Sequence, residues 1–348
     1  MIKPQHFALL AAATAASVVV AAGLYSATNR WSAGKVEGAQ LLPGFGRNEK
    51  TLKSVEITQG EKKLTLERAG ELWTIKERAG YPANAERVKA LLNTLAKAEL
   101  IEAKTASKDR HSQLELEDPA GKDAKSRGVR VLDDKGRALA EVVLGKSRYD
   151  AFGQGKGGVY VRRLAEAQTW LATGDPKGAA DLRDWVSTTA FETDWAKLTK
   201  LSLEHPGEEP LLIEKSDGKE KADPKEKDQK FRIAQMPDGK KLKQGVTIDQ
   251  IAQGFGSMEF EDVRRLEATP SGDKVSILKL ADEAGLGVTF RLRKEGELNW
   301  LSFTAIGEGD AKKTADEINA RGTGWEFRIP QWKADQIGKR RADLFETS

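Results

Sequence analysis

Three glycines, Gly153, Gly155 and Gly158, have the G-x-G-x-x-G spacing found in loops that bind phosphate groups. In a dinucleotide-binding fold such a loop follows a strand and opens a helix, whose N-terminal N–H groups hold the pyrophosphate. Here the residues after the third glycine, VYVRR, alternate at period two and predict a strand. Lys156 is followed by glycine, so the Walker pattern, which needs serine or threonine there, is absent. We predict a glycine-rich hairpin connection between residues 146 and 158, with no bound nucleotide.

The same loop carries side chains suited to contact with another protein. Arg148, Tyr149 and Lys156 combine two positive charges with one aromatic ring, and the surrounding glycines predict an exposed position. We therefore expect Arg148, Tyr149 and Lys156 to form a partner-contact loop.

Cysteine and histidine offer little catalytic chemistry in this chain. There are no cysteines, which excludes disulfides, thiolate metal sites and a cysteine nucleophile. The three histidines are His6, His111 and His205; the last two lie in polar, loop-like surroundings. We predict no metal site, and a catalytic triad would have to use His111 or His205.

Neighbouring carboxylates are the remaining candidates for acid–base chemistry. They form two groups, Glu115 with Glu117 and Asp118, and Glu259 with Glu261 and Asp262. General acid–base catalysis needs two carboxyl groups held across a cleft with separated pKa values, and proximity along a strand does not supply this. With 53 acidic residues, close pairs arise by chance, so we predict no catalytic residue, no cofactor and no enzymatic activity.

The stretch ADLRDW, residues 180–185, has a more distinctive pattern. Asp181, Arg183 and Asp184 flank Leu182 and Trp185, which indicates a buried anchor with salt-bridging neighbours. We predict a structural role for this stretch in joining two units of the chain. Two further structural landmarks are Trp73, in a predicted strand, and Pro82, which stops the sheet before a helix.

Composition limits the classes of partner. The chain has 348 residues, of which 39% are hydrophobic and 32% charged, which is typical of a globular protein with a substantial core. The 57 basic and 53 acidic residues give a net charge of only +4, too balanced for a dedicated nucleic-acid binder.

The amino terminus contains an apolar segment. Phe7 to Tyr25 is nineteen residues without a charge, close to the length that spans a bilayer. We predict a single-pass inner-membrane anchor within residues 1–27, a tether over residues 28–50, and a body in the periplasm. Ala21-Ala22-Gly23 is compatible with signal-peptide cleavage, so a cleaved leader is the alternative.

After residue 50 the sequence repeats one pattern of elements. Residues 51–190 and 191–348 each show short alternating strands, an amphipathic helix, and a strand hairpin followed by another strand. The helices begin near Asn84 and at Thr247, where Gln250 completes a capping-box pattern. In outline, GGVYVRRLAEAQTWLA of the first copy matches GTGWEFRIPQWKADQI of the second. We predict an α+β fold of two similar, mostly antiparallel units, each with a packed helix.

Several stretches, in this order, resemble a bacterial envelope family known as domain of unknown function 4340. They are LW with Trp73, YPANAERVKALLNTL, LELEDP, VVLGK, GGVYVRR and ADLRDW, and they cover about residues 55–190. Glu115 departs from the pattern, since the family more often has a Gly-Leu pair before the Asp-Pro step. The resemblance implies a membrane-tethered extracytoplasmic protein, often found beside gliding-type ABC transporter components, and implies no assigned activity.

The expected function is therefore a non-enzymatic, membrane-tethered module that binds a protein partner, as an accessory to an ABC-type transport or envelope complex. Two alternatives stay open. An envelope hydrolase would use carboxylates in a cleft between the units, and a glycan-binding module would use a groove floored by some of the eight tryptophans.

Overall fold

The structure, a computed structural model, describes residues 14, 16–21, 35–46, 51–153, 155–216, 229–236, 239–272 and 274–346. Of the apolar segment Phe7–Tyr25, only residues 14 and 16–21 belong to this set, and they are helical. Among the described residues, no helix has both the length and the apolar character needed to cross a bilayer. The predicted anchor otherwise lies outside the described residues.

The chain divides into two compact units. The first comprises residues 1–76 and 83–184, and the second residues 77–82 and 185–348. The predicted boundary at 190 thus differs by six residues from the division at Asp184.

The first unit contains one long helix and a sheet of short strands. The helix α1 is Ala85–Lys97, and a 3-10 helix spans Lys108–Leu114. The strands are β1 Lys35–Gln40, β2 Leu52–Gln59, β3 Lys62–Ala69, β4 Leu72–Ile75, β6 Glu99–Ala103, β7 Arg127–Asp133, β8 Ala138–Arg148, β9 Gly158–Arg163 and β10 Thr169–Thr173. The two-residue strand β5, Tyr81–Pro82, lies in the segment assigned to the second unit.

The strands of the first unit pair antiparallel in the order β1-β6-β10-β9-β8-β7-β2-β3-β4. Alternation explains which face is buried: Val55 and Ile57 of β2 have no exposed surface, and Leu64 and Leu66 of β3 are buried opposite them. The prediction of a mostly antiparallel α+β fold is confirmed for this unit.

Helix α1 begins at a true N-cap. The Asn84 side-chain oxygen accepts hydrogen bonds from the backbone N–H groups of Glu86 and Arg87, at 3.1 and 3.2 Å. Val88, Leu91 and Leu95, spaced by three and four residues, are the buried stripe. The sequence pattern predicted both the start and the stripe of this helix.

Residues 35–46 differ from the predicted tether. Strand β1 pairs with β6, and Leu41, Leu42 and Phe45 beyond it are buried. The glycines and Pro43 had suggested a solvated linker, but these three apolar side chains bury enough surface to hold the segment in the first unit.

In its described residues the second unit contains two sheets, a larger one of eight strands and a smaller one of two, and four α-helices. The strands are β11 Thr189–Glu192, β12 Leu198–Glu204, β13 Leu211–Lys215, β14 Phe231–Ile233, β15 Ser257–Glu259, β16 Asp262–Arg265, β17 Val275–Asp282, β18 Gly287–Glu295, β19 Leu298–Ile306 and β20 Trp325–Ile329. The helices are α2 Ile248–Gly254, α3 Ala311–Gly322, α4 Gln331–Ile337 and α5 Arg341–Leu344.

The larger sheet has the order β14-β13-β12-β17-β18-β19-β20-β16, and β11 pairs separately with β15. From β16 to β14, these eight strands are arranged in the same pattern as the eight strands of the first unit from β6 to β4. The position of β10 is therefore taken by β20, and that of β9 by β19. The predicted match of GGVYVRR with GTGWEFRI is shifted by one strand, because helix α3 intervenes between β19 and β20.

Helix α3 was not predicted. Its buried positions, Ala311, Ala315 and Ile318, are small enough that the sequence shows no strong apolar stripe. Asn319 holds the helix to β19, since its side chain both accepts from the N–H of Ala305 and donates to the Ala305 carbonyl, each at 2.8 Å.

The start of helix α2 also differs from its prediction. Thr247 makes no side-chain capping hydrogen bond, so the capping box with Gln250 is wrong. Instead the side chain of Gln229 accepts from the N–H of Ile248 at 3.2 Å. The cap comes from a residue 19 positions away in sequence, which no local pattern reveals.

Candidate functional site

The loop between β8 and β9, residues 149–157, is a hairpin connection, as predicted. Arg148 and Gly158 pair across its base, and the strand β9 follows directly. Gly153 and Gly155 have φ angles of 74° and 71°, in the left-handed region that favours glycine. A Cβ atom on Gly158 would lie 2.9 Å from the ring of Phe152, so this glycine allows a close approach. The backbone conformation or the close packing thus explains each of the three glycines without a bound phosphate.

Hydrogen bonds within the loop hold its shape. The N–H of Lys156 donates to the Gly153 carbonyl at 3.0 Å, and that of Gly155 donates to Asp150 Oδ1 at 3.0 Å. Phe152 is half-buried, whereas Tyr149 is 86% exposed. The three predicted contact residues, Arg148, Tyr149 and Lys156, are all exposed on this loop or at its base.

The corresponding connection in the second unit is much shorter. Strands β18 and β19 are joined by only Gly296 and Glu297, and Glu295 pairs with Leu298 across the turn. Two residues therefore suffice to connect two such strands. The longer loop in the first unit is not a requirement of strand pairing.

The stretch ADLRDW forms a 3-10 turn with a buried anchor. Leu182 and Trp185 are buried, and the Asp181 carboxylate accepts from the guanidinium of Arg183, with Nε 3.1 Å away. Asp184 closes the turn by donating its N–H to the Asp181 carbonyl. The hydrogen bond from Arg183 is the main cause that lowers the pKa of Asp181. The division of the chain falls between Asp184 and Trp185.

Trp73 lies within β4, and Pro82 is the second residue of β5. The Trp73 side chain is buried, and its carbonyl accepts from the N–H of Ala83 at 2.8 Å. Pro82 is exposed, as suits a residue that has no N–H to donate to a ladder.

Both described histidines have structural partners. His111 is buried and its Nε2 lies 2.8 Å from the Ala167 carbonyl. His205 contacts the Ser276 hydroxyl through Nδ1 and the Lys339 carbonyl through Nε2. A carbonyl only accepts, so these Nε2 atoms are donors, and each ring links segments that are distant in the sequence.

The neighbouring carboxylates are also engaged. Glu117 Oε1 accepts from the N–H groups of Lys125 and Ser126, and Asp118 Oδ1 from that of Ala120. In the second unit, Asp262 accepts from Arg78 Nε at 2.5 Å. These carboxylates hold loops and ion pairs in place.

A polar cluster that sequence reasoning missed lies on one face of the larger sheet. Its centre is Glu326 of β20, whose side chain is 1% exposed. Arg264 of β16 donates Nε to Glu326 Oε2 at 2.9 Å, while Arg293 of β18 donates Nε and Nη2 at 2.6 and 2.7 Å. Glu295, which is 51% exposed, bridges the same two arginines from outside.

One arginine–tryptophan stack belongs to the cluster, and a second lies on the opposite face of the sheet, because Arg265 and Trp325 are the chain neighbours of Arg264 and Glu326. The guanidinium of Arg264 lies 3.7 Å from the ring centroid of Trp300, and that of Arg265 lies 4.1 Å from that of Trp325. Both tryptophans are buried. Stacking fixes the plane of each guanidinium and covers a tryptophan face.

A cavity of about 490 Å³ opens beside this cluster. Its walls include Arg264, Arg293, Glu295 and Glu326, together with residues 265–271, 274 and 275. The size is within the range of small-molecule sites. A weak signal was present in the sequence, because charged residues occupy alternate positions 262 and 264, 326 and 328, and 293 and 295.

The resolved pKa shifts of carboxyl groups are all downward, at Asp133, Asp175, Asp181 and Glu295. For Glu295 the principal cause is the hydrogen bonding from Arg264. A general acid needs the opposite shift. Within the described part of the chain, no group of three or more His, Asp and Glu side chains is placed to hold a metal ion.

Two buried cations bind backbone carbonyls. Arg162 donates Nη1 to the Leu164 carbonyl at 2.8 Å, and Lys333 donates Nζ to the carbonyl of Gly254, the last residue of α2, at 3.1 Å. Burial lowers the pKa of both groups. The negative charge of Asp118 partly offsets this decrease at Arg162, and that of Glu259 does so at Lys333. Lys333 thus satisfies a carbonyl at a helix C-terminus.

The tryptophans are mostly buried. Trp73, Trp185, Trp300 and Trp325 are buried, Trp170 and Trp195 are half-buried, and Trp332 is 61% exposed. Of the tryptophans that the structure describes, only Trp332 therefore presents most of its surface to solvent.

Comparison with known proteins gives a family match. The model of a family described as Domain of unknown function (DUF4340) matches residues 73–280, more than half of the chain. No curated protein and no solved structure matches.

Proposed function

Since the chain belongs to the DUF4340 family, whose description assigns no activity, we propose a function from its own geometry. The protein is a non-enzymatic, membrane-tethered module of the envelope that binds a protein partner. The partner belongs to an ABC-type transport or envelope complex, and the contact is made by the loop 149–157 with Arg148 at its base.

The exposed loop is the observation that carries this proposal. Nine residues connect β8 to β9, although two residues connect β18 to β19. The additional length presents Tyr149, which is 86% exposed, between the charges of Arg148 and Lys156. Tyrosine and arginine are enriched where proteins bind each other, since both give a large contact area and a polar tip.

An internal duplication is part of the proposal. The shared strand order of the two sheets supports it, as does the position of α1 between β4 and β6 and of α2 between β14 and β16. A duplicated scaffold explains how one copy can carry a long contact loop where the other keeps a tight turn.

The membrane tether rests on the sequence of Phe7–Tyr25. Nineteen residues without charge, followed by a charged body, favour a single-pass anchor in the inner membrane. A first apolar segment of this kind usually acts as an export signal, and for this reason we place the body in the periplasm.

Cross-linking in native membranes followed by mild detergent extraction tests the proposal. The wild-type chain is expected in a species larger than the monomer. The double variant Tyr149→Ala/Lys156→Ala is expected to lose most of that species. Leu72→Ala/Lys313→Ala also removes one exposed apolar side chain and one exposed lysine, and is expected to keep it.

Recovery of the wild-type chain only as a monomer, under conditions that preserve other membrane complexes, would contradict partner binding. Equal losses in the two double variants would contradict the assignment of the loop.

A further inference from the structure

The charges at the loop 149–157 are separated by sign. Three cations, Lys146, Arg148 and Lys156, are exposed, and within the described part of the chain none of them forms an ion pair. Lys146 and Arg148 lie in the last three residues of β8, and Lys156 precedes the start of β9 by two residues. Since β8 and β9 are paired, with Arg148 opposite Gly158, these residues lie at one end of the strand pair. We call Lys146, Arg148 and Lys156 the loop cations.

The carboxylates beside the loop cations are already bound by groups of the first unit. Asp150 Oδ1 accepts the N–H of Gly155 at 3.0 Å. Asp175 Oδ1 accepts the hydroxyl of Ser147 at 2.6 Å, and its Oδ2 accepts from the ammonium group of Lys177. Both carboxylates therefore hold the local backbone and side chains together, and neither is paired with a loop cation.

A half-buried arginine accounts for the other negative charges at the base of the loop. Arg127 donates Nη2 to the Gly145 carbonyl at 2.9 Å. Burial lowers the pKa of Arg127, and the negative charges of Asp175, Glu115 and Asp184 partly offset this decrease. These three carboxylates thus act on a cation within the first unit, whereas the loop cations face solvent.

The loop presents one aromatic ring to solvent. Tyr149 is 86% exposed, whereas Phe152 is half-buried, with its ring close to the backbone of Gly158. The N–H of Phe152 donates to the Lys156 carbonyl at 3.2 Å, which ties the two sides of the loop together. A segment that inserts into a lipid surface presents several large apolar side chains, and this loop keeps its phenylalanine against the body. The arrangement favours a protein surface as the partner.

We propose that the loop 149–157 binds an acidic surface of its protein partner, on which Asp and Glu carboxylates surround a shallow site for the Tyr149 ring. This inference rests on the proposed function, because it names the chemistry of the partner at the same contact. The loop cations form charge-assisted hydrogen bonds with the partner's carboxylates, and the planar guanidinium of Arg148 suits a bidentate contact. Complementary charge also speeds the encounter and fixes the register of the two surfaces.

A zero-length carbodiimide cross-linker tests the contact between lysine and carboxylate, because it condenses an amine and a carboxyl group into an amide. In native membranes we expect an adduct that joins Lys146 or Lys156 to an Asp or Glu of the partner. Lys146→Arg/Lys156→Arg keeps both charges without a reactive amine, so it should lose this adduct and keep the larger species in mild detergent. Lys312→Arg/Lys313→Arg is the matched control and should keep both. An unchanged adduct in Lys146→Arg/Lys156→Arg overturns the proposal.

Charge reversal and salt test the electrostatic part of the proposal. Arg148→Glu/Lys156→Glu is expected to reduce the larger species by about tenfold, because like charges then face each other. Lys312→Glu/Lys313→Glu is expected to keep it, since these two exposed lysines lie in the first turn of α3, where acidic side chains are favourable. Raising the KCl concentration from about 0.05 to 0.5 M should weaken the wild-type complex severalfold through screening.

Three outcomes count against the acidic partner. A larger species that survives both high salt and Arg148→Glu/Lys156→Glu overturns it and leaves partner binding in place. A monomer at every salt concentration contradicts partner binding itself, and this inference with it. Protection of Lys156 from an amine-reactive reagent in phosphatidylglycerol vesicles that hold only the full-length chain, without protection in phosphatidylcholine vesicles, assigns the loop to an anionic membrane and overturns the proposal.

Discussion

Glu115 has a strained backbone conformation. It follows the 3-10 helix Lys108–Leu114 with φ 56° and ψ 43°, a left-handed conformation that costs a residue with a Cβ roughly 1–2 kcal/mol. Its N–H donates to the Ser112 carbonyl, which holds the turn in this form. The family resemblance implies a Gly-Leu pair in this region, and a glycine adopts the left-handed conformation without this cost.

Replacing Glu115 by glycine is therefore expected to stabilise the protein. Relief of strain outweighs the added entropy of the unfolded chain, for a gain of about 0.5 kcal/mol in the free energy of unfolding. Urea denaturation measures it. Glu86→Gly, in the first turn of α1, is the control and should cost about 1 kcal/mol. Similar losses in both variants would show that residue 115 is not strained.

Asp133 predicts a dependence of stability on pH. Its pKa is lowered, first by the hydrogen bond from the backbone N–H of Arg137, with the Arg137 side chain and the N–H of Lys135 adding to it. A lowered folded-state pKa contributes stability above the unfolded value of about 3.9, and this stability is lost as pH falls through the folded pKa.

The variant Asp133→Asn should consequently be less stable than the wild type at pH 7, with a difference that shrinks below about pH 4. Urea midpoints across this pH range measure it. Asp134→Asn, at the exposed neighbouring position, should change little at any pH. A constant difference between wild type and Asp133→Asn would refute the linkage.

At the scale of elements, the two helix starts show what a local pattern can and cannot predict. Asn84 caps α1 with its own side chain. The start of α2 is instead capped by the side chain of Gln229, which lies 19 residues before Ile248. Both had the same kind of sequence signal, a polar residue before an apolar stripe. The difference arises because the β14 segment brings Gln229 to the start of α2.

Alanine substitution separates the two caps. Asn84→Ala should lower the free energy of unfolding by about 1 kcal/mol, because two N–H groups lose their acceptor. Thr247→Ala should have little effect, since the Thr247 side chain makes no capping hydrogen bond. Denaturant midpoints decide the matter, and a comparable loss at Thr247 would contradict the cap seen at Gln229.

The other elements also fall into two groups, those that a local sequence pattern predicted and those that it missed. Strands with large alternating residues, such as β2 and β3, were predicted because their buried positions repeat every second residue. Strand β1 and helix α3 were missed: one lies in a glycine-rich stretch, and the other buries mainly alanine. Their stability comes from tertiary contacts, among them those of Leu41 and Asn319.

At the scale of the whole molecule, the proposed membrane anchor leads to a prediction about where the body is held. Deletion of residues 2–27 is expected to move the chain from the carbonate-resistant membrane fraction to the soluble fraction. Replacing Phe7–Tyr25 by an unrelated apolar segment of equal length is expected to restore it. A mature chain that begins after Ala22 would instead establish a cleaved leader.

The sequence by itself determined the features that depend on neighbours along the chain. Period-two alternation predicted the paired strands, three-and-four spacing predicted α1, and the residues after Gly158 predicted a hairpin in place of a phosphate loop. The order of stretches around Trp73 and ADLRDW was sufficient to indicate the family.

Only the tertiary structure decided which distant residues meet. Arg264, Arg293 and Glu326 come together because β20 lies between β16 and β19, and β18 is the next strand. That order depends on the summed packing and pairing of eight strands, so no single segment encodes it. The cavity beside Glu326 follows from the same order, so the alternating charges of β16, β18 and β20 indicate polar strand faces but not that these faces meet.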